Sequence, residues 1–345
     1  MSSLSPHSLI MDSSFDSDFF LSSFESHLVT LIKTFDLPVR ELVEHVLLGG
    51  GKRIRPLLVY TCGFTHSKPN DDLLKAASVI EMVHVATLVH DDILDDADLR
   101  RNKPTLHSKV GDQTSILLGD ALFSFALELA SEFPDSRVCR IVSQATRKTC
   151  SGEINQSFSK GNFDLTAEEY FSIIQDKTGE LFNASCSVGA FLGGLSPNLI
   201  DLVGKFGTSL GLNYQIYDDL IDTFGDDFYF GKTLGSDLQT GKLTLPIIRL
   251  LEVLPEIRRL SLKSDFKNRD FDSDFKKYLS QLFIEYNIHE ICFSELESRL
   301  SNSKTIASNI PDLDISERLM SFISSFDSKI GKLTTNLLPN FLALN

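Results

Sequence analysis

From Phe24 onward, apolar residues recur at helical spacing along most of the chain. Residues 73–90, LLKAASVIEMVHVATLVH, are apolar almost all round, the pattern of a helix buried on most faces. Segments 114–130, 137–158, 167–193 and 199–223 also predict long helices. Breakers separate them, including Pro134, the Gly161-Asn162 pair and the Gly193-Gly194 pair. Residues 224–242, FGDDFYFGKTLGSDLQTGK, predict a polar, glycine-rich loop. Beyond about residue 253 the pattern is one of amphipathic helices, such as 272–288 and 315–330. No run of alternating β-branched residues is closed by Asn-Gly or Asp-Gly, so strands are not expected. Residues 1–23, rich in Ser, Asp and Phe, are expected to form a loosely held arm. No shift of composition marks a linker, so residues 24–345 are expected to form one all-α domain.

The length of 345 residues is enough to bury a large core. Acidic residues outnumber basic ones by 47 to 33, a net charge of −14. With a pI near 5.0, the balance excludes general nucleic-acid binding, which needs a basic surface. An apolar fraction of 42% excludes wholesale disorder. No apolar run reaches the roughly 18 residues that suggest a membrane span. The five cysteines form no C-x-x-C pair, which fits a reducing compartment. The first 32 residues hold no Lys or Arg, as either a secretory or a mitochondrial leader would require, so the cytoplasm is the expected location.

Two acidic clusters change the picture. Asp91, Asp92 and Asp95 stand at the end of the apolar helix, in HDDILDD. Their spacing of three and four is expected to bring all three to one face. Buried together they would repel and resist ionisation. Divalent cations relieve that, and hard oxygen ligands suit Mg²⁺, which usually shares its shell with substrate phosphates. The same spacing recurs at Asp218, Asp219 and Asp222 in YDDLID. One such triplet at a helix end is more often a solvated cap. Two, each preceded by an apolar helix, point to a diphosphate site bridged by metals.

Cations complement them. Gly49-Gly50-Gly51-Lys52-Arg53-Ile54-Arg55-Pro56 is not a P-loop, since Arg rather than Ser or Thr follows the lysine. Arg100, Arg101 and Lys103 follow the first cluster, and Lys232 and Lys242 follow the second. Arg53 and Lys103 read as solvent-facing loop charges. Lys52, Arg55, Arg100, Arg101 and Lys232 suit phosphate oxygens. His84 stands two turns before Asp91, Gln215 stands three residues before Asp218, and Lys177-Thr178 interrupts another apolar helix. A core would have to satisfy each of these polar groups.

GGGKRIRP, HDDILDDADLRR, DKTGEL, YQIYDDLID and GKTLGSDLQTGKLTLP, in that order over roughly residues 45–250, resemble the trans-isoprenyl diphosphate synthase (polyprenyl synthetase) family. The resemblance implies an all-α isoprenoid synthase bundle around a deep central cavity, usually a homodimer. It implies a trans-prenyltransferase that joins isopentenyl diphosphate head to tail to an allylic diphosphate. It makes Asp91, Asp92, Asp95, Asp218, Asp219 and Asp222 the ligands of about three Mg²⁺, with Mn²⁺ as a substitute. Lys52, Arg55, His84 and Arg101 then match the isopentenyl diphosphate site. Arg100, Lys177, Thr178, Gln215, Lys232 and Lys242 match the allylic side, and Lys177, Thr178 and Gln215 act with the aspartates in catalysis.

Asn102 stands where the family usually has Gly, and Tyr214 where it usually has Phe. A terpene cyclase would lack GGGKRIRP and the second full aspartate motif. A non-catalytic subunit of a heteromeric synthase would typically lose aspartates or the Lys177-Thr178 pair, and both are present.

For product length, short-chain relatives place an aromatic side chain four or five residues before the first aspartate, or insert two residues in the motif. Here Thr87 and Ala86 occupy those positions, and nothing is inserted. The floor of the product channel is therefore expected deeper, near Met82, Val83, and Phe123 or Leu127 on a facing helix. The expected product is an all-trans polyprenyl diphosphate longer than farnesyl, delivered to a membrane, with geranylgeranyl diphosphate as the alternative.

Overall fold

Phe20, Phe24, Leu28 and Ile32 recur every four residues and are all buried. They form the inner stripe of α1 (Ser17–Ile32), whose N-terminus is capped by Asp16 Oδ1 accepting from the Phe19 amide at 2.8 Å. Residues 17–23 are thus part of a packed helix and not of a loose arm. Four large apolar anchors at helical spacing outweigh the local Ser and Asp content. The computed structural model describes residues 16–64, 70–100, 103–225, 236–268 and 273–343.

α1 leads into α2 (Val39–Leu47), α3 (Ile54–Gly63) and α4 (Asp71–Leu94). A two-stranded antiparallel ladder follows, β1 (Leu99–Arg100) and β2 (Lys103–Pro104), with Leu99 opposite Pro104. Next come α5 (Leu106–Val110), α6 (Asp112–Ser131) and α7 (Arg137–Ser159). The segment expected as one helix over 167–193 is α8 (Ala167–Ile174), a π turn (Gln175–Gly179) and α9 (Glu180–Leu192). α10 (Pro197–Phe224) ends in the second acidic cluster. Beyond it lie α11 (Ser236–Gln239), α12 (Leu245–Val253), α13 (Glu256–Asn268), α14 (Ser273–Glu285), α15 (Ile288–Ser308) and α16 (Leu313–Ala343). The ladder is the one departure from all-α structure among the described residues. Just before it, Asp96 adopts φ 50.

α4 is the central helix. Asn70 caps it, accepting from the Leu73 amide at 2.8 Å, and residues from Ala76 to Ala86 are buried on nearly every side. α4 and α6 each hold an 18-residue window long and apolar enough to cross a bilayer by composition, contrary to the sequence expectation. In the bundle, 72% of the α4 window is buried against neighbouring helices, so its apolar character is that of a core helix. One hydrophobic cluster joins α1, α2, α4 and α6; a second joins α8, α10, α12 and α14–α16. A cavity of about 610 Å³ is lined by residues of α3, α4, α6, α7, α9 and α10.

Candidate active site

Asp91 and Asp95 both line this cavity, as do Asp218 and Asp219. Asp92 does not. Neighbouring residues on an α-helix point about 100° apart, whereas i and i+4 nearly coincide. Asp92 instead accepts from Arg100, whose Nε and Nη2 both reach its Oδ1 at 2.7 Å. The pair lines a smaller cavity of about 70 Å³ with Glu81 and Lys103. Asp222 does not line the cavity either, although it stands four residues after Asp218, and it accepts from the Asp237 amide at 3.3 Å. The expected convergence of six carboxylates is therefore a group of four on the cavity, with Asp92 and Asp222 behind it.

Burial and the nearby charges set the state of these carboxylates. Burial, then Glu153 and Asp95, pushes Asp91 up to about 6 despite the opposing pull of Lys177. Burial and the Asp237 charge push Asp219 up to about 8, even though Tyr170 Oη and Gln215 Nε2 donate to it at 2.6 and 2.8 Å. Asp95 Oδ1 is buried and accepts no hydrogen bond. Among the described residues no three His, Cys, Asp or Glu side chains converge into a complete ligand set. Hard oxygen donors gathered on one cavity fit a divalent cation that completes its shell with substrate oxygens and water.

The π turn carries Lys177 and Thr178. Its one-residue widening is a local irregularity of the kind found at functional sites. α7 approaches the turn closely at Gly152, where a Cβ would lie 2.4 Å from the Lys177 amide nitrogen. Lys177 Nζ pairs with Glu153, donates to Gln156 Oε1 at 2.7 Å and stands 4.0 Å from Asp91 Oδ2. Burial opposes its charge, but Asp91 and Glu153 outweigh burial and hold its pKa above the ordinary lysine value. Thr178 Oγ1 donates to Gln215 Oε1 at 2.8 Å, which extends a chain through Gln215 and Asp219 to Tyr170.

Lys242 reaches the first cluster from the far side, donating to Asp95 Oδ2 at 2.5 Å. Lys160 Nζ stands 3.9 Å from Asp95 Oδ1.

At the other end of the cavity, Arg55 Nη1 meets His84 Nε2 at 3.1 Å. The guanidinium lies 4.5 Å from the Phe182 ring centroid. Its Nε is buried without a hydrogen-bond partner, and burial lowers its pKa to about 10. A buried guanidinium with an unused donor is suited to an anion. Lys52 and Arg100 also line the cavity. Arg101 and Lys232 lie outside the described residues.

Arg53 is not a solvent-facing charge. It is 6% exposed and bonded to two carboxylates. Lys103 is exposed, as expected.

The residues expected to form the channel floor divide. Thr87 and Phe123 line the cavity; Ala86, Met82, Val83 and Leu127 do not. Met82 and Ala86 share the opposite stripe of α4 and are fully buried in the core. Val83 lies one turn below Thr87, inside the same core cluster. Leu127 is 38% exposed.

Glu153, Gln156 and Tyr170 were not read from the sequence. The available signal was Gly152-Glu153 with Gln156 three residues on, which share a helix face.

The polyprenyl synthetase family pattern matches residues 37–282. A short chain isoprenyl diphosphate synthase from Methanocaldococcus jannaschii is 36% identical over 231 residues, 66% of this chain and 70% of that protein. Heptaprenyl diphosphate synthase component 2 of Geobacillus stearothermophilus is also 36% identical over 231 residues, 67% of this chain and 72% of that one. Among solved structures, a decaprenyl diphosphate synthase from Rhodobacter capsulatus superposes with a TM-score of 0.82 at 26% identity, covering 90% of this chain and 97% of that one.

Proposed function

This chain belongs to the polyprenyl synthetase family and is a trans-prenyltransferase, and we propose that it condenses isopentenyl diphosphate with an allylic diphosphate in a Mg²⁺-dependent reaction. The supporting observation is that one cavity collects six carboxylates, four of them from the two acidic clusters, with Lys177, Thr178 and Arg55, whose buried Nε is an unused donor. Asp91, Asp95, Asp218 and Asp219 would hold Mg²⁺, with Asp92 and Asp222 behind them. Bound there, the metal supplies charge neutralisation for the departing diphosphate.

In the proposed reaction Lys177, Lys242 and Arg100 hold the allylic diphosphate, together with Lys232. Arg55, Lys52 and His84, together with Arg101, hold isopentenyl diphosphate at the other end. The allylic C–O bond breaks and pyrophosphate leaves. Thr178 Oγ1 and Gln215 Oε1 present oxygen lone pairs to the allylic cation. The isopentenyl double bond attacks it, forming the new C–C bond, and a proton passes to pyrophosphate. Phe182, Tyr214, Leu88 and Ile221 wall the site with apolar surface, which keeps water from the cation. The proposed product is all-trans and longer than farnesyl. Thr87 is small where the cavity continues, and relatives include synthases named for heptaprenyl and decaprenyl products.

The purified chain, given labelled isopentenyl diphosphate, an allylic primer and Mg²⁺, is expected to form extractable prenyl products. The relative named as a component of its synthase makes the chain-alone assay decisive, since no incorporation would point to a required second subunit.

Substrate division follows from the geometry. Arg55→Ala is expected to raise KM for isopentenyl diphosphate more than for the allylic substrate, and Lys177→Ala to do the reverse. A lost charge-assisted contact of about 1.5–3 kcal/mol corresponds to roughly 10- to 150-fold. Equal effects on both substrates would refute the division.

We also propose a homodimer. Ile116, Leu117 and Leu127 on α6, and Ile154 and Phe158 on α7, leave apolar surface exposed, Phe158 at 83%. Sedimentation velocity is expected to give a dimer; a monomer at micromolar concentration overturns this.

A further inference from the structure

We propose that Arg53 is a positioning residue: a buried strut that aims Lys52 and Arg55 into the cavity. Three successive glycines precede the Lys52-Arg53 pair, and Gly50 and Gly51 adopt φ 95 and 149. Such a segment has little stiffness of its own. Arg53 itself adopts φ 47 and ψ 38, left-handed values rare for a side chain of its size. The reversal at this residue separates its direction from that of its neighbours. Lys52, Ile54 and Arg55 line the large cavity, whereas Arg53 points away from it.

All three nitrogens of Arg53 are engaged. Nη1 donates to Glu81 Oε1 on α4 at 2.7 Å, and Nε donates to Glu25 Oε1 on α1 at 2.7 Å. Nη2 donates to the Leu47 carbonyl at the end of α2 at 2.6 Å, and to Glu25 Oε2 at 3.3 Å. One guanidinium thus ties three helices to the loop. Glu81 is itself buried and paired with this guanidinium. On α4, Glu81 stands three residues before His84, and His84 meets Arg55. The strut and the cavity-facing arginine are therefore referenced to the same turn of one helix. A cationic pair on a flexible glycine loop gains fixed direction from a rigid element beneath it.

The inference rests on the reading that Lys52 and Arg55 hold isopentenyl diphosphate. It predicts a loss confined to that substrate. Steady-state rates are measured on the full chain with each substrate varied at saturating levels of the other, alongside thermal melts. Arg53→Gly keeps the left-handed backbone accessible and removes the guanidinium that ties the loop to three helices. It is expected to raise KM for isopentenyl diphosphate about 10-fold or more, with kcat and the allylic KM within about 3-fold of the parent. Arg53→Lys, which retains the charge, is expected to recover part of the loss.

A folded Arg53→Gly protein with parental KM values overturns the strut, as does an equal rise for both substrates. Should Arg53→Gly fail to fold, the double variant with Glu81→Gln removes the unpaired buried carboxylate and is read in the same way. Glu25→Ala, at a half-exposed position outside the cavity lining, removes both acceptors of the strut on α1 and decides the matter if both fail: a rise confined to isopentenyl diphosphate supports the strut, and unchanged values refute it. A parent chain that incorporates no isopentenyl diphosphate counts against the proposed reaction. Parental kinetics with an unaltered Arg53→Gly counts against the strut alone.

Discussion

Asp91→Ala and Asp218→Ala are each expected to lower turnover by about 10³-fold or more, the scale of losing an electrostatic group aimed at transition-state charge. Asp91 is buried beside Glu153 and Asp95, and these surroundings push its carboxyl up to about 6. At neutral pH it is still largely ionised, but burial disfavours the anion, and a divalent cation next to it offsets that cost. In the proposed complex that cation also meets the departing diphosphate, so removing the carboxylate weakens the interaction that grows as the C–O bond breaks. Asp218 lines the same cavity, and losing its negative charge is expected to weaken metal binding there as well. Chelation is expected to abolish activity and added Mg²⁺ to restore it. The measurement is single-turnover incorporation with both substrates saturating, which separates chemistry from binding. Near-parental turnover in either variant would sink the two-cluster model.

Thr87→Phe is expected to shorten the product by at least one prenyl unit, while Ala86→Phe is expected to destabilise the fold instead. The two residues are adjacent, and helical geometry alone divides them. Thr87 lies on the stripe of α4 that includes His84 and Asp91 and faces the cavity. A ring there takes the space into which a growing chain would pass, near Phe123, whose ring lies 5.7 Å from that of His90. Ala86 is completely buried on the other side, within the cluster formed by α1, α4 and α6. Overpacking such a site typically costs about 1–3 kcal/mol. Reversed-phase chromatography of dephosphorylated products, together with urea melts, reads both effects. Shortening by Ala86→Phe with no change in Thr87→Phe would reverse the assignment. A parent product that already stops at farnesyl would remove the channel argument and leave the family membership intact.

Much of this candidate site is legible in the chain itself. Duplicated aspartate spacing, a glycine-rich cationic segment and a lysine-threonine pair inside an apolar helix are local features. Each carries a chemical demand that a core cannot meet, so residue types and order were enough to group them. The helices were legible for a similar reason, because periodic burial is written into the spacing of apolar residues. α1 was the exception at its N-terminal end. Its first turns look polar by composition, and only the four-residue repeat from Phe20 to Ile32 reveals the buried stripe.

The sequence by itself determined the all-α architecture and the two acidic helix ends, because these depend on contacts within one turn or on periodicity along one helix. Only the tertiary structure decided which member of each cluster faces the cavity. Asp92 turns to Arg100 and Asp222 to the amide of Asp237, partners brought in by the chain's return. It also decided that Glu153 and Gln156 of α7 hold Lys177 at the π turn, a meeting of segments distant along the chain. It moved Arg53 from the surface to the interior, where Glu25 and Glu81 await it from two other helices. Side-chain direction on a packed helix is set by what lies opposite, and a linear chain does not specify its neighbours one by one.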